Sequence, residues 1–226
     1  AIGDRTFENP IQVLIDFTGN IAANAYRYGN IKITSATSNF GQLEILDLVE
    51  EIPESKSNFK LIDRFSFLLE RIANGIRLEL QFFNDNKPTR IQKLQGSIDF
   101  QTIDTNKIVT VNNLSDNFPL TVNHPKLENL GNFSINKYTN PMTPEHQLDV
   151  TGEGSNVPDF SARLIERNGN IINPDGFGTA TFNGIFSRSV SFTVTDESLS
   201  NASIEIILGF NTTTVPFNLS NIPIQQ

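Results

Sequence analysis

With 226 residues, 38% of them hydrophobic and 19% charged, the chain can bury either one large β-rich core or two small ones. A net charge of −8 argues against a basic nucleic-acid groove and against docking on an anionic membrane. The chain has no Cys, which excludes disulfides, thiolate metal sites and a thiol nucleophile, and no run of about 18 apolar residues offers a transmembrane helix.

Taken in order, residues 11–17 (IQVLIDF) predict a first strand, ended by Thr18-Gly19-Asn20. Residues 22–28 and 31–34 read as two short strands around Gly29-Asn30. Asn39-Phe40-Gly41 signals a turn, residues 43–49 the next strand, and 50–58 (EEIPESKSN) a polar loop.

The two longest apolar runs, 65–73 and 76–83, flank Asn74-Gly75. Asn-Gly favours a type I′ turn because both central residues need positive φ. A two-residue loop there sets Ala73 opposite Ile76, Arg71 opposite Leu78, Leu69 opposite Leu80 and Phe67 opposite Phe82. On the other face Glu70 then meets Glu79, a mild repulsion. Leu61, Ile62, Phe65, Leu68, Leu69 and Ile72 also fall at helical spacing, with Asn74-Gly75 as a C-cap. The alternating Phe residues and the matching second run favour the hairpin over that helix. A turn over 84–88 leads to a strand through Ile91, Leu94, Ile98, Phe100 and Ile103, with Gly96 at a bulge or a close backbone approach.

Residues 107–111 form another short strand, and 112–130 are rich in Asn, Pro and Asp. Further strands are expected at 133–138, 146–151, 160–167, 187–195, 202–210 and 214–219. Asn168-Gly169-Asn170 and Asn173-Pro174-Asp175-Gly176 mark turns, and Gly176-Phe177-Gly178 reads as part of one. Val190, Phe192 and Val194 alternate with Ser191 and Thr193, a clean period of two. Pro216 cannot donate to a ladder, which puts 214–219 at a sheet edge. The sum is an all-β chain of two antiparallel β-sandwich domains in series, Ig-like or jelly-roll-like, over 1–110 and 111–226.

The segments YGNIKITSATSNFGQL, IQKLQGSIDF, ARLIERNGNII and VPFNLSNIPI resemble uncharacterised secreted bacterial proteins built of two β-sandwiches. The likeness is spread over most of the chain, and its motifs are structural. It implies export, to the medium or the cell surface, and a paired-sandwich layout; it carries over no active-site residue. Ala1 in place of Met, with no apolar leader core, fits a processed or excerpted chain.

The chemistry-bearing residues are sparse. His124 and His146 show no metal-ligand spacing and read as solvated loop residues. Asn84, Asp85 and Asn86, with Asp104, are the oxygen donors a calcium ion wants, without a complete DxDxDG loop. Carboxylates cluster at Asp47, Glu50, Glu51 and Glu54, at Asp149 and Glu153, and at Asp196-Glu197, while GxSxG and HExxH are missing. Tyr26 and Tyr28 share one strand face, with Arg27 on the other, as a small platform for a glycan or as edge packing. The expected function is a non-enzymatic structural or protein-interaction module outside the cytoplasm. Its expected partner is another protein or itself, joined through the terminal segment 1–10 and a sheet edge. A carbohydrate-binding module or accessory domain of a secreted enzyme is the alternative.

Overall fold

Alternating apolar residues become strands wherever one face is buried, and this chain is mostly strand. The computed structural model describes residues 11–45, 59–61, 69–84, 86–114, 118–139 and 141–224. The strands are β1 (Ile11–Thr18), β2 (Arg27–Ser38), β3 (Gly41–Gln42), β4 (Glu44–Ile45), β5 (Phe59–Leu61), β6 (Leu69–Ile72), β7 (Gly75–Phe83) and β8 (Arg90–Ile103). After them come β9 (Ile108–Val111), β10 (Leu120–Thr121), β11 (Asn132–Thr139), β12 (Glu145–Glu153), β13 (Ser161–Ile165), β14 (Ile171–Ile172) and β15 (Gly176–Phe182). The last three are β16 (Ile185–Thr195), β17 (Ser203–Ile207) and β18 (Phe210–Pro223). Two single-turn helices, α1 (Asn20–Ala23) and α2 (Asp196–Leu199), interrupt them.

Among the described residues these strands make four antiparallel sheets, so the fold is all-β. The chain divides into two compact units, Ala1–Thr102 with Asn211–Gln226, and Ile103–Phe210. The expected boundary at 110/111 falls inside the second of these units. The second unit is inserted in the first, because β18 pairs with β8 and returns the C-terminal segment to the first unit's sheet. Pro216 does lie at an edge, but of that first-unit sheet.

In the first unit one sheet runs β1-β7-β4, with β6 also on β7; the other runs β18-β8-β2-β3, with β5 also on β2. Val13, Ile15 and Phe17 of β1 and Ile76, Leu78, Leu80 and Phe82 of β7 share one core with Leu94, Ile98 and Phe100 of β8. Phe17 meets Phe100 edge-on at 5.5 Å and Phe217 at 6.0 Å, closing the two sheets on each other.

Three local expectations are corrected here. The β6–β7 loop is Ala73-Asn74, not Asn74-Gly75, so Leu69 faces Leu78 and Arg71 faces Ile76. The pairing is displaced by two residues, which keeps the same face buried. Glu70 thereby meets Arg77 rather than Glu79. Gly75 opens β7 opposite Thr18, where a Cβ would stand 1.9 Å from the Phe17 carbonyl oxygen. That close approach, not a turn, demands the glycine. Next, Gly29-Asn30 joins no two strands. It is a bulge inside β2, where Asn30 adopts φ 48° and donates to Asp99 at 2.8 Å. Residues 20–23 wind into α1 ahead of it, in place of the start of a strand. Lastly, Gly176-Phe177-Gly178 is not a turn but the start of β15. The helical reading of 61–73 and the pairing of Phe67 fall largely outside the described residues, as does the loop 50–58.

In the second unit one sheet runs β10-β11-β12-β16-β15 and the other β14-β13-β17-β9. Val190, Phe192 and Val194 are buried, as their alternation predicts, and pack with Phe133, Leu148, Ile204 and Ile206. Phe133 and Phe160 meet edge-on at 5.3 Å.

Candidate functional site

The inward row of β16 does not stop at its apolar residues. Arg188 has the same parity as Val190, Phe192 and Val194 and extends that row at one end, while Asp196 opens α2 just beyond the other. Buried Arg188 ion-pairs with Asp159 at one end. At the other, Lys137 Nζ lies 2.5 Å from Asp196 Oδ1, and His146 Nε2 lies 3.1 Å from the same oxygen. The Lys137 ammonium, donating to it, holds the Asp196 carboxyl below its ordinary range; the His146 ring adds to the effect and burial opposes it. Lys137 and His146 are themselves largely covered, so of the three only Asp196 faces water. These charges close the ends of a core. His146 is therefore a buried strand residue of β12, not a solvated loop residue.

The accessible chemistry lies at the sheet's margin. Thr18-Gly75 contact used up one Asn-Gly glycine, but Asn183-Gly184 is a true type I′ turn, with φ 51° and 78°. A Cβ on Gly184 would meet nothing within 4 Å. The turn pairs Phe182 with Ile185 and sets β15 along β16, from Gly176 opposite Ser191 onward. β12 ends at Glu153, opposite Ser187, so the hairpin tip runs past its own sheet. Phe182 and Ile185 on that tip are 76% and 56% exposed, and Phe177 is 48% exposed.

β15 is the outermost strand of its sheet. Edge strands are normally guarded by charge, proline or brevity. Among the described edges, β1 carries Asp16, β18 carries Pro216, β9 has four residues, and β3, β10 and β14 have two each. β15 has seven residues, GFGTATF, and none of these guards. The stretch 176–187 holds no ionisable side chain at all. In a two-residue hairpin Phe182 and Ile185 exchange both backbone bonds, so Phe182, Ala180 and Gly178 turn theirs toward β16. Phe177, Thr179 and Thr181 then turn N–H and C=O outward.

The residues singled out from sequence lie elsewhere. Tyr26 and Tyr28 are only 9% and 3% exposed, and Tyr28 sits opposite Phe100 in the first core, so neither offers a ring face to a sugar. Asn84 spends its side chain locally, accepting from Asn86 N at 2.9 Å and donating to Gln42 O at 3.2 Å. Asp104 caps a 3-10 turn by accepting from Asn106 N at 3.1 Å. Asn84 and Asn86 belong to the first unit and Asp104 to the second, while Asp85 is outside the described residues. No group of three or more metal-ligating His or carboxylate side chains gathers among the described residues. His124 accepts from Lys126 N at 3.1 Å as the cap of another 3-10 turn.

Comparison with protein families, curated proteins and solved structures found no match. The unguarded edge was missed from sequence because two glycines dominate GFG and read as punctuation. Its signal was the Asn-Gly at 183–184, flanked by Thr-Phe and Ile-Phe.

Proposed function

We propose that the protein is a non-catalytic, extracytoplasmic interaction module that takes up an extended strand along β15. The observation that carries this reading is the edge itself: seven residues without charge or proline, ending in a tip with two exposed apolar side chains. Strand addition satisfies the outward groups of Phe177, Thr179 and Thr181 and needs no catalytic apparatus. The setting outside the cytoplasm rests on the resemblance of the four segments noted above. The segment 1–10, the first candidate for a donated strand, lies outside the described residues. The glycan alternative loses its main support with the burial of Tyr26 and Tyr28.

Hydrogen exchange tests the reading. A seven-residue peptide of alternating Thr and Val, with a lysine at each end for solubility, should slow exchange at the amides of Phe177, Thr179 and Thr181. Thr179→Pro should abolish that protection while leaving the hairpin folded, since its N–H points away from β16. Unchanged exchange at all three amides at saturating peptide would refute strand addition here.

A further inference from the structure

Resting on that reading, we infer that the strand β15 receives is the β15 of a second copy of this chain, laid antiparallel about a two-fold axis through Thr179. A two-fold contact must be complementary to itself, residue i meeting j while j meets i. Centred on Thr179, the pairing sets Phe177 against Thr181, Gly178 against Ala180 and Gly176 against Phe182, each way round. The three residues with outward backbone groups then meet only one another, completing about six hydrogen bonds in the narrow antiparallel pattern.

The side chains fit the same axis. Gly176 and Gly178 occupy one half of the strand, Ala180 and Phe182 the other, all on one face. Rotation about Thr179 lays each Phe182 ring beside the bare backbone of Gly176 in the other copy, the arrangement that shields edge glycines. The glycine half is flat because of its neighbours: a Cβ on Gly178 would stand 2.7 Å from Ser189 Oγ, and one on Gly176 3.2 Å from Ser191 Cβ. On the opposite face Phe177 covers Thr181 of the other copy and the two Thr179 side chains adjoin.

Charge points the same way. Each copy carries −8, so two copies repel wherever charged surfaces approach within a Debye length of about 8–10 Å. The stretch 176–187 is neutral throughout, so a like-charged copy meets little opposition there.

Sedimentation equilibrium of the full chain over a wide concentration range reads the association directly. The wild type should populate a dimer, and Thr179→Pro, which removes two of the central bonds, should weaken it roughly tenfold to a hundredfold with the melting curve of the dilute monomer unchanged. The absence of Cys makes cross-linking clean. Thr179→Cys places two thiols across the axis at a Cα separation of about 5.5 Å, inside the disulfide range of about 4.4–6.8 Å. It should oxidise to a covalent dimer, whereas Thr181→Cys alone should not, and a mixture of Thr181→Cys with Phe177→Cys should. Equal self-cross-linking at 179 and 181 would overturn the axis. A chain that stays monomeric at millimolar concentration while the Thr/Val peptide still protects β15 overturns the second copy and leaves strand addition standing. A monomer with no protection removes both.

Discussion

Of the chain's three Asn-Gly pairs, at 74–75, 168–169 and 183–184, the first and the last have glycines that answer different demands. Gly184 sits at a hairpin tip with φ 78° and open space around it, so it is needed for its backbone angle. Gly75 is outside the left-handed region and sits under the Phe17 carbonyl, so it is needed for its missing side chain. One hairpin is buried into the first unit's core; the other ends in water. The same dipeptide therefore marks a turn only where no neighbouring strand claims the glycine first.

The contrast is broken or sharpened most strongly at the phenylalanines. Phe82, fully buried on β7, should lose about 3–5 kcal/mol of its own unit's stability on truncation to Ala. Phe182→Ala at the exposed tip should stay within about 0.5 kcal/mol, both read from urea unfolding at a dilution that keeps the chain monomeric. Similar losses at both sites in the monomer would mean that the chain itself covers the β15 tip. The glycines give the next effect. Gly75→Ala should cost about 1–3 kcal/mol through overpacking against β1, and Gly184→Ala about 1–2 kcal/mol through backbone strain. Asn separates them: Gly184→Asn should recover most of the loss, since Asn tolerates positive φ, and Gly75→Asn should be worse than Ala. A Gly75→Asn variant as stable as wild type would restore the turn reading of 74–75.

Much of this was legible in advance, for identifiable reasons. Where a strand has one buried face, periodicity names it, as with Val190, Phe192 and Val194 in the interior of a sheet or with residues 11–17 at the edge of one. Gly96 was legible too: Lys32 O and the Phe217 ring stand 2.3 and 2.5 Å from its missing Cβ. Periodicity says nothing about which strand lies next to which. It therefore could not show that β1 claims Gly75, that β2 passes through Gly29-Asn30 as a bulge, or that β18 belongs with β8. The candidate sites fared worse because Tyr, Asn and Asp serve packing and turns as readily as ligands. Burial took the tyrosines, and local hydrogen bonds took Asn84 and Asp104.

The smallest expected effects come from the two units' carboxylates. Asp16 is held below its ordinary value of 3.8 by the hydrogen bonds from Arg77, and Asp196 by Lys137. A lowered native pKa means that the unfolded chain binds more protons below 3.8. The stabilisation is thus whole above that value and fades as the pH falls through the lower native one. Asp196→Asn should flatten the acid limb of the second unit's stability curve, and Asp16→Asn that of the first. Unaltered acid limbs in chemical denaturation between pH 5 and pH 2, on the order of the carboxylate range, would dismiss both pairs as contributors.

The insertion of one unit within the other has a consequence for synthesis. The second unit is continuous and has all its strands once residue 210 has been made. The first must wait for β18, which supplies Phe217 to its core and covers the open side of β8. At about 5–20 residues per second, the roughly hundred residues between the two parts take on the order of 5–20 s to translate. For that interval β8 presents an unpaired ladder to whatever is nearby. A nascent chain paused there has a finished domain and a waiting one, and the waiting one is the first to emerge.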